Sequence, residues 1–395
     1  MIQTLKDIGE IKGKRVLLRV DFNVPIDKTG VTDDTRIRET LPTIQYLLRE
    51  GARLVVITHL GRPEGKVVDG LKLTAVADRL EHLLQQPVSK LDGCVGPEVE
   101  KAVRSMEDGS ITLLENIRFY PQEEANDPDF AAQLARLGEL YVNDAFAACH
   151  RAHASVAGLP QLLTSYAGFL LAEEVEHLTP LLSQVDKPLT VIVGGAKIDT
   201  KISLIKNYVG IADTIIIGGA LANTFLAAQG YDVGASLYEA DQLSVARETL
   251  LLAEQKGTAI ALPHDVIVAD TVTEYTTTLD LPLEDIEGAM KILDAGKETM
   301  ARYAKIVNES ATIIWNGPIG LYEFTPFSHG TKILGEAIAL RKNEAKTYVG
   351  GGDTLDALSR LGIDRDRFTF VSTGGGAMLE FLEGKKLPGI LALEK

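Results

Sequence analysis

Residues 16–25 read VLLRVDFNVP. Val16, Leu17, Leu18 and Val20 make an apolar run broken only by Arg19, the pattern of a strand buried on both faces rather than one with a solvated side. The run stops at Asp21 and Asn23, and Pro25 closes the segment. In parallel α/β sheets, ligands bind beyond the carboxyl ends of the strands. A carboxylate and an amide at this position therefore read as ligand-facing groups.

Similar runs recur outward along the chain. Strands are expected at 16–20, 53–58, 111–114, 140–143, 189–193, 214–217, 259–262, 311–315, 346–349 and 368–372. Most are apolar throughout and end in Gly, Asn, Asp, His or Ser. Helical patterns fill the gaps. Residues 35–50 carry Ile37, Leu41, Ile44, Leu47 and Leu48 as one stripe, with Gly51 as the stop. Residues 73–84 and 130–137 read similarly, and Pro97 with Glu98 and Glu100 marks a further helix start. The stretch AGFLLAEEVEHLTPLLSQVDK, residues 167–187, is helical in pattern, has no strand candidate beside it and is broken by Pro180. It reads as a linking helix between two domains, or else as an ordinary surface helix of one sheet. The fold class expected is α/β, with two similar-sized domains, each a parallel β-sheet covered by helices on both faces in Rossmann-like fashion, joined by a hinge helix.

The chain has 395 residues, enough for two such domains. Its formal charge of −15 argues against general affinity for nucleic acid or an anionic membrane. Arginine is uneven, with twelve in residues 1–170 and six in residues 171–395, so the first part can still gather anions. Cys94 and Cys149 form neither a CxxC pair nor a zinc spacing, which fits a reducing cytoplasm without a structural disulfide. No apolar run approaches a membrane span, and the first residues lack the apolar core of a signal peptide.

Glycine clusters mark the second half: 194–195, 218–219, 350–352 and 374–376, each after a strand candidate. Glycine at a strand end lets backbone N–H groups approach a phosphate, and a following helix adds its positive end. Four in succession favour a nucleotide cleft over plain tight turns. The P-loop, a complete GxGxxG and a protein-kinase catalytic loop are all absent. In GGAKIDTK, Lys197 and Lys201 are four apart and share a face if a helix starts there. They read as holders of a phosphoryl group, or as two solvated lysines. Asp353 in GGGDT is either a Mg²⁺ ligand beside phosphates or a helix cap. In WNGPIGLYE, Asn316 is a candidate for phosphate contact and Glu323 for the ribose. The first half contributes Arg36, His59, Arg62, Arg118, His150, Arg151 and His153, a set suited to a small, doubly anionic substrate. A metal site at His150 and His153 lacks further ligands at convincing spacing.

Taken in order, DFNVP, THLGRP, LLENIRF, HRAHAS, GGAK, GGALANTFL, WNGP, GGGD and STGGGA strongly resemble the phosphoglycerate kinase family over almost the whole chain. The resemblance implies reversible, Mg²⁺-dependent phosphoryl transfer from ATP to the carboxylate of 3-phosphoglycerate, giving ADP and 1,3-bisphosphoglycerate, by direct in-line transfer with hinge closure. It implies a glycerate domain over residues 1–170, a linker over 171–186, a nucleotide domain over 187–373, and a tail, 374–395, returning to the first domain. Asp21, Phe22, Asn23, His59, Leu60, Gly61, Arg62, Arg118 and Arg151 would form the substrate site. Arg36 would face the carboxylate and the moving phosphoryl group. Lys197, Lys201, Gly375 and Gly376 would stabilise the transfer. Gly219, Gly296, Asn316, Glu323, Gly351, Gly352, Asp353 and Thr354 would surround the nucleotide with Lys201, and Asp353 would bind Mg²⁺. The family further implies a cytoplasmic monomer. Ala147, Asp199, Ala235 and Lys297 depart from the family pattern. A non-catalytic nucleotide- or phosphoglycerate-binding protein on the same fold is the competing reading. Retention of Arg36, Lys201 and Asp353 weighs against it.

Overall fold

The computed structural model describes residues 2–199 and 201–394. The chain forms two compact units. One holds the residues up to His177 together with those from Lys385 onward, and the other runs from Leu178 to Gly384.

The first unit is built on six parallel strands. Across the sheet they run Val88–Lys90, Ile111–Leu113, Arg53–Ile57, Arg15–Arg19, Leu140–Asn143 and Thr164–Ala167. Arg15–Arg19 sits between Arg53–Ile57 and Leu140–Asn143, with Leu18 opposite Val56 and Val142. Strand order reverses direction here, which opens the crevice that ligands use in such sheets. Val16, Leu18, Leu54 and Val56 pack against Ile37, Ile44 and Leu47 of the helix Thr35–Arg49. The strands Val88–Lys90 and Thr164–Ala167 carry no long apolar run and were not expected.

The second unit has a six-stranded parallel sheet in the order Ala259–Ala261, Thr214–Ile217, Leu189–Val193, Thr312–Asn316, Lys346–Gly350 and Phe370–Ser372. Numbered along the chain this is 3-2-1-4-5-6, the doubly wound order, with its switch point between Leu189–Val193 and Thr312–Asn316. Trp315 and Ile313 are fully buried on it, beside Leu334, Ile338 and Tyr303. A second sheet is an addition to the expected architecture. Asp265–Ala269 pairs antiparallel with both Leu279–Pro282 and Lys291–Ala295.

The long helix at the unit boundary is Phe169–Leu178, followed by one 3-10 turn, Thr179–Leu182. The chain passes from one unit to the other within it. Its return begins at Lys385 rather than Gly374, because Gly376–Leu382 forms a helix of the second unit. Among the described residues, no helix is long and apolar enough to cross a membrane.

Candidate active site

In the first unit the polar residues expected at the strand ends converge. Asp21 is buried just past Arg15–Arg19, and its carboxylate pairs with the Arg36 guanidinium. Arg36 lies in the first turn of Thr35–Arg49, whose start is organised by Asp33 accepting from the Thr35 amide at 2.9 Å. Asp21 Oδ1 accepts from the Asn23 amide at 3.2 Å, and Asn23 Oδ1 accepts from the Gly61 amide at 2.9 Å. Gly61 has φ +62, and its carbonyl accepts from Arg118 at 2.8 Å. The two strand ends are thus stitched together through Asp21, Asn23 and Gly61.

Phe22 and Leu60 enter through their backbones, their side chains being in the core. The Phe22 amide donates to Thr58 Oγ1 at 2.9 Å. Asn116 clamps Leu60, accepting from its amide at 3.2 Å and donating to its carbonyl at 2.8 Å. His59 lies 3.7 Å from Asp21 through Nδ1. Burial first, then Arg19, Arg118, Arg36 and His153, hold its pKa well below the ordinary histidine value, so the imidazole is neutral. Arg118 is buried and paired with Glu124 at 3.2 Å. Arg62 is exposed, and Arg151, half-buried, donates to His150 Nε2 at 3.1 Å. Three groups missed from sequence lie behind these: Asn116, Ser155 and Arg19. Arg19 was hidden because it sits inside a strand rather than at its end.

In the second unit an apolar cleft of about 610 Å³ opens beyond the sheet's switch point. Gly219, Ala220, Leu237, Val266, Leu293 and Tyr322 are among its walls, with Glu323 and Asp353 at its polar margin. Gly219, at φ +66, lies so close to Gly195 that a Cβ would come within 2.6 Å of that residue's carbonyl oxygen. A planar apolar group can lie against such a bare backbone. Asp353 also lines an adjoining pocket of about 210 Å³ with Lys201, Asn316, Gly351, Gly352, Thr354, Gly375 and Gly376.

This smaller pocket is rigidly built. Thr354 is fully buried, accepting from the Gly317 amide at 2.8 Å and donating to the Gly350 carbonyl at 2.9 Å. Asn316 donates to the same carbonyl at 2.9 Å and accepts from Lys201 Nζ. Burial lowers the Lys201 pKa to about 8, opposed by the charges of Asp353 and Glu383. Lys201 stands just ahead of the helix Ile202–Tyr208, so it does not share a helical face with Lys197. Lys197 is exposed and lines neither pocket. Asp353 is in the first turn of Gly352–Arg360, whose cap is Gly351, so the carboxylate is exposed rather than spent on capping.

Gly296 departs from its expected place. It caps the helix Lys297–Glu309 and is backed by the Asp265 and Asp280 carboxylates, away from the apolar cleft. Its neighbour Asp294 does line the cleft, buried and bonded by the Gly330 amide at 2.8 Å. Burial raises the Asp294 carboxyl to about 7. Nothing in its local sequence marked it.

A sequence model of the family described as phosphoglycerate kinase matches residues 5–385. The phosphoglycerate kinase of Moorella thermoacetica is 49% identical over 390 residues, covering 99% of this chain and 98% of its own. That of Dictyoglomus turgidum is 47% identical over 394 residues, covering 99% of each chain. Among solved structures, phosphoglycerate kinase from Coxiella burnetii superimposes with a TM-score of 0.89 at 40% identity, covering 100% of this chain and 99% of that one. The Pyrococcus horikoshii enzyme gives 0.87 at 31% identity, covering 99% and 98%.

Proposed function

The chain belongs to the phosphoglycerate kinase family, and from that premise we infer how its residues divide the work. It is a kinase that transfers a phosphoryl group between ATP and the carboxyl group of 3-phosphoglycerate. The observation that carries the assignment of roles is Asp353. It lines both an apolar cleft sized for a base and a smaller pocket walled by glycine backbone and Lys201. One nucleotide can occupy both at once.

The adenine would lie against Gly219, the ribose near Glu323, and the phosphates over Gly351, Gly352, Gly375 and Gly376. Lys201 would balance charge on the transferring group, and Asn316 and Thr354 would hold the glycine turns in place. Asp353 is suited to Mg²⁺. Among the described residues no cluster of three or more His, Cys, Asp or Glu could cage a metal, and Mg²⁺ characteristically takes one or two carboxylates plus substrate phosphates. When bound, the ion would neutralise phosphate charge.

In the first unit Asp21 and Asn23 would hold the glycerate hydroxyl and carboxylate. His59, Arg62, Arg118 and Arg151 would hold the 3-phosphate. Arg36 would face the attacking carboxylate. That nucleophile is already ionised, so no general base is required, and catalysis rests on positioning and charge stabilisation. The helix Phe169–Leu178 is the hinge we propose for bringing the two ligands together. A cytoplasmic monomer is the working form we propose; the two buried, free cysteines support the reducing compartment, and the monomer rests on the family resemblance.

The test is ADP formation from Mg-ATP with and without 3-phosphoglycerate, with hydroxylamine to trap the acyl phosphate. Turnover only with 3-phosphoglycerate, with hydroxamate formed, is the expected result. Binding of both ligands without turnover would instead favour a non-catalytic role.

A further inference from the structure

Arg19 is only 1% exposed, at the end of the strand Arg15–Arg19, and no role on a ligand accounts for it. Its donors are all directed inward. Nε donates to Ser155 Oγ at 2.9 Å, one terminal nitrogen to the Val20 carbonyl, and the other lies 3.2 Å from His59 Nδ1. Ser155 is itself fixed from behind. Its hydroxyl donates to Glu123 at 2.6 Å and its amide to the other oxygen of that carboxylate at 2.9 Å. Glu123 is fully buried. The result is a continuous buried chain from Glu123 through Ser155 and Arg19 to His59.

We propose that Arg19 is a positioning residue, which fixes His59 in the tautomer carrying its proton on Nε2, so that the imidazole meets the substrate as a neutral donor. This rests on the placement of His59 in the glycerate site made above. A guanidinium has donors only and does not deprotonate in proteins. Nδ1 facing it must therefore be the bare, accepting nitrogen, and in a neutral imidazole the proton is then on Nε2. Among the described residues no protein acceptor takes a bond from Nε2, which leaves its N–H for a ligand oxygen.

The surroundings of His59 agree with a neutral ring. Arg19 faces it from its own strand, Arg36 from the helix Thr35–Arg49, Arg118 from the turn Ile117–Phe119, and His153 from the loop before Ala154–Gly158. Among the described residues, Asp21 is the carboxylate paired with the ring, at 3.7 Å from Nδ1, and it is occupied by Arg36. Burial, then Arg118, Arg19 and Arg151, also keep His153 neutral, its pKa lowered to about 3. Adding a fixed donor rather than a titrating cation makes substrate recognition by His59 independent of pH across the physiological range.

The decisive measurement is nitrogen-15 NMR on the full chain labelled at its seven histidines, with His59 identified by the resonances lost in His59→Gln. A pyridine-type Nδ1 and a pyrrole-type Nε2, unchanged from about pH 5.5 to 8, are expected. A pyrrole-type Nδ1, or protonation of both nitrogens within that range, overturns the proposal. Arg19→Met supplies the kinetic arm. The KM for 3-phosphoglycerate should rise about tenfold at pH 8, and should fall again towards pH 5.5 as His59, freed of its cationic neighbour, gains a proton. Arg19→Lys, which keeps a donor-only group, should recover part of the affinity and the flat pH profile. A flat profile in Arg19→Met, with wild-type kinetics otherwise intact, overturns the proposal. Absence of turnover in the unmodified chain would instead overturn the kinase reading on which it rests.

Discussion

Lys201 carries the sharpest consequence of burial at the level of single residues. Its pKa near 8 means that, before nucleotide binds, its charge is lost as pH rises through that value. The KM for ATP should rise about tenfold between pH 7 and 9, and Lys201→Arg should flatten that rise, since arginine stays charged. A wild-type profile already flat over this range would remove Lys201 from the phosphate pocket. On the role proposed for it beside the moving phosphoryl group, Arg36→Ala should lower kcat by about a hundredfold or more with little change in ATP affinity. Steady-state kinetics with each substrate varied separates the two. Residues of this kind were legible because each interrupts or ends an apolar run: Asp21 and Asn23 after Val20, His59 after Thr58, Asn316 after Trp315. Arg19, Ser155 and Asp294 were not, because their importance comes from neighbours more than thirty residues away in sequence, such as Ser155 for Arg19 and Gly330 for Asp294.

Between elements, the backbone-to-backbone approach of Gly195 and Gly219 is what leaves the apolar cleft open. Gly219→Ala would place a Cβ 2.6 Å from a carbonyl oxygen at a φ of +66. It should cost ~2–4 kcal/mol from left-handed strain and overpacking together. It should also raise the KM for ATP while leaving that for 3-phosphoglycerate unchanged; thermal melting and two-substrate kinetics report both effects. Thr354→Val should act similarly through a different cause, stranding the buried Gly317 amide at a cost of ~1–3 kcal/mol. The central parallel strands were readable because burial on both faces makes them continuously apolar. The three-stranded antiparallel sheet escaped because it lacks that signature. Its edge strand Leu279–Pro282 contains Asp280 and Pro282 and is largely exposed. The helix starts at Thr35 and Pro97 were read correctly, because a cap region or a proline marks each, but the start after GGAK was not. The turn after GGAK delays the helix to Ile202, and no periodicity in six residues could reveal that.

At the level of the molecule, the first unit is discontinuous in sequence. Its closing segment buries Leu387, Ile390 and Leu393. The Gly389 amide bonds to the Cys149 carbonyl at 2.9 Å, and a Cβ at Gly389 would strike the Cys149 backbone at 2.8 Å. Leu393→Ala should destabilise that unit by ~2–4 kcal/mol. On the proposed division of the ligands between the units, loss of 3-phosphoglycerate binding should then precede loss of nucleotide binding on heating, a sequence that calorimetry with each ligand in turn would resolve. A single transition unaffected by the substitution would refute it. The two-domain pattern was legible from residues 167–187, a helical stretch with no strand candidate beside it, lying between the strand runs that end at Asn143 and those that resume at Leu189. The return of the tail came from the family's ordered motifs, because nothing in LPGILALEK names the surface it covers.

This arrangement has a bearing on biosynthesis. A ribosome delivers most of the first unit early, yet that unit cannot be completed until the residues after Gly384 emerge, more than two hundred positions later. At roughly 5–20 residues per second, the nascent chain carries an unfinished first half for at least ten seconds or so. The half translated second has all of its own residues available earlier. The uncovered surface around Cys149 and Val156 is therefore where a nascent-chain chaperone would be most needed, and a chain lacking the residues after Gly384 would have a whole second unit and an incomplete first one.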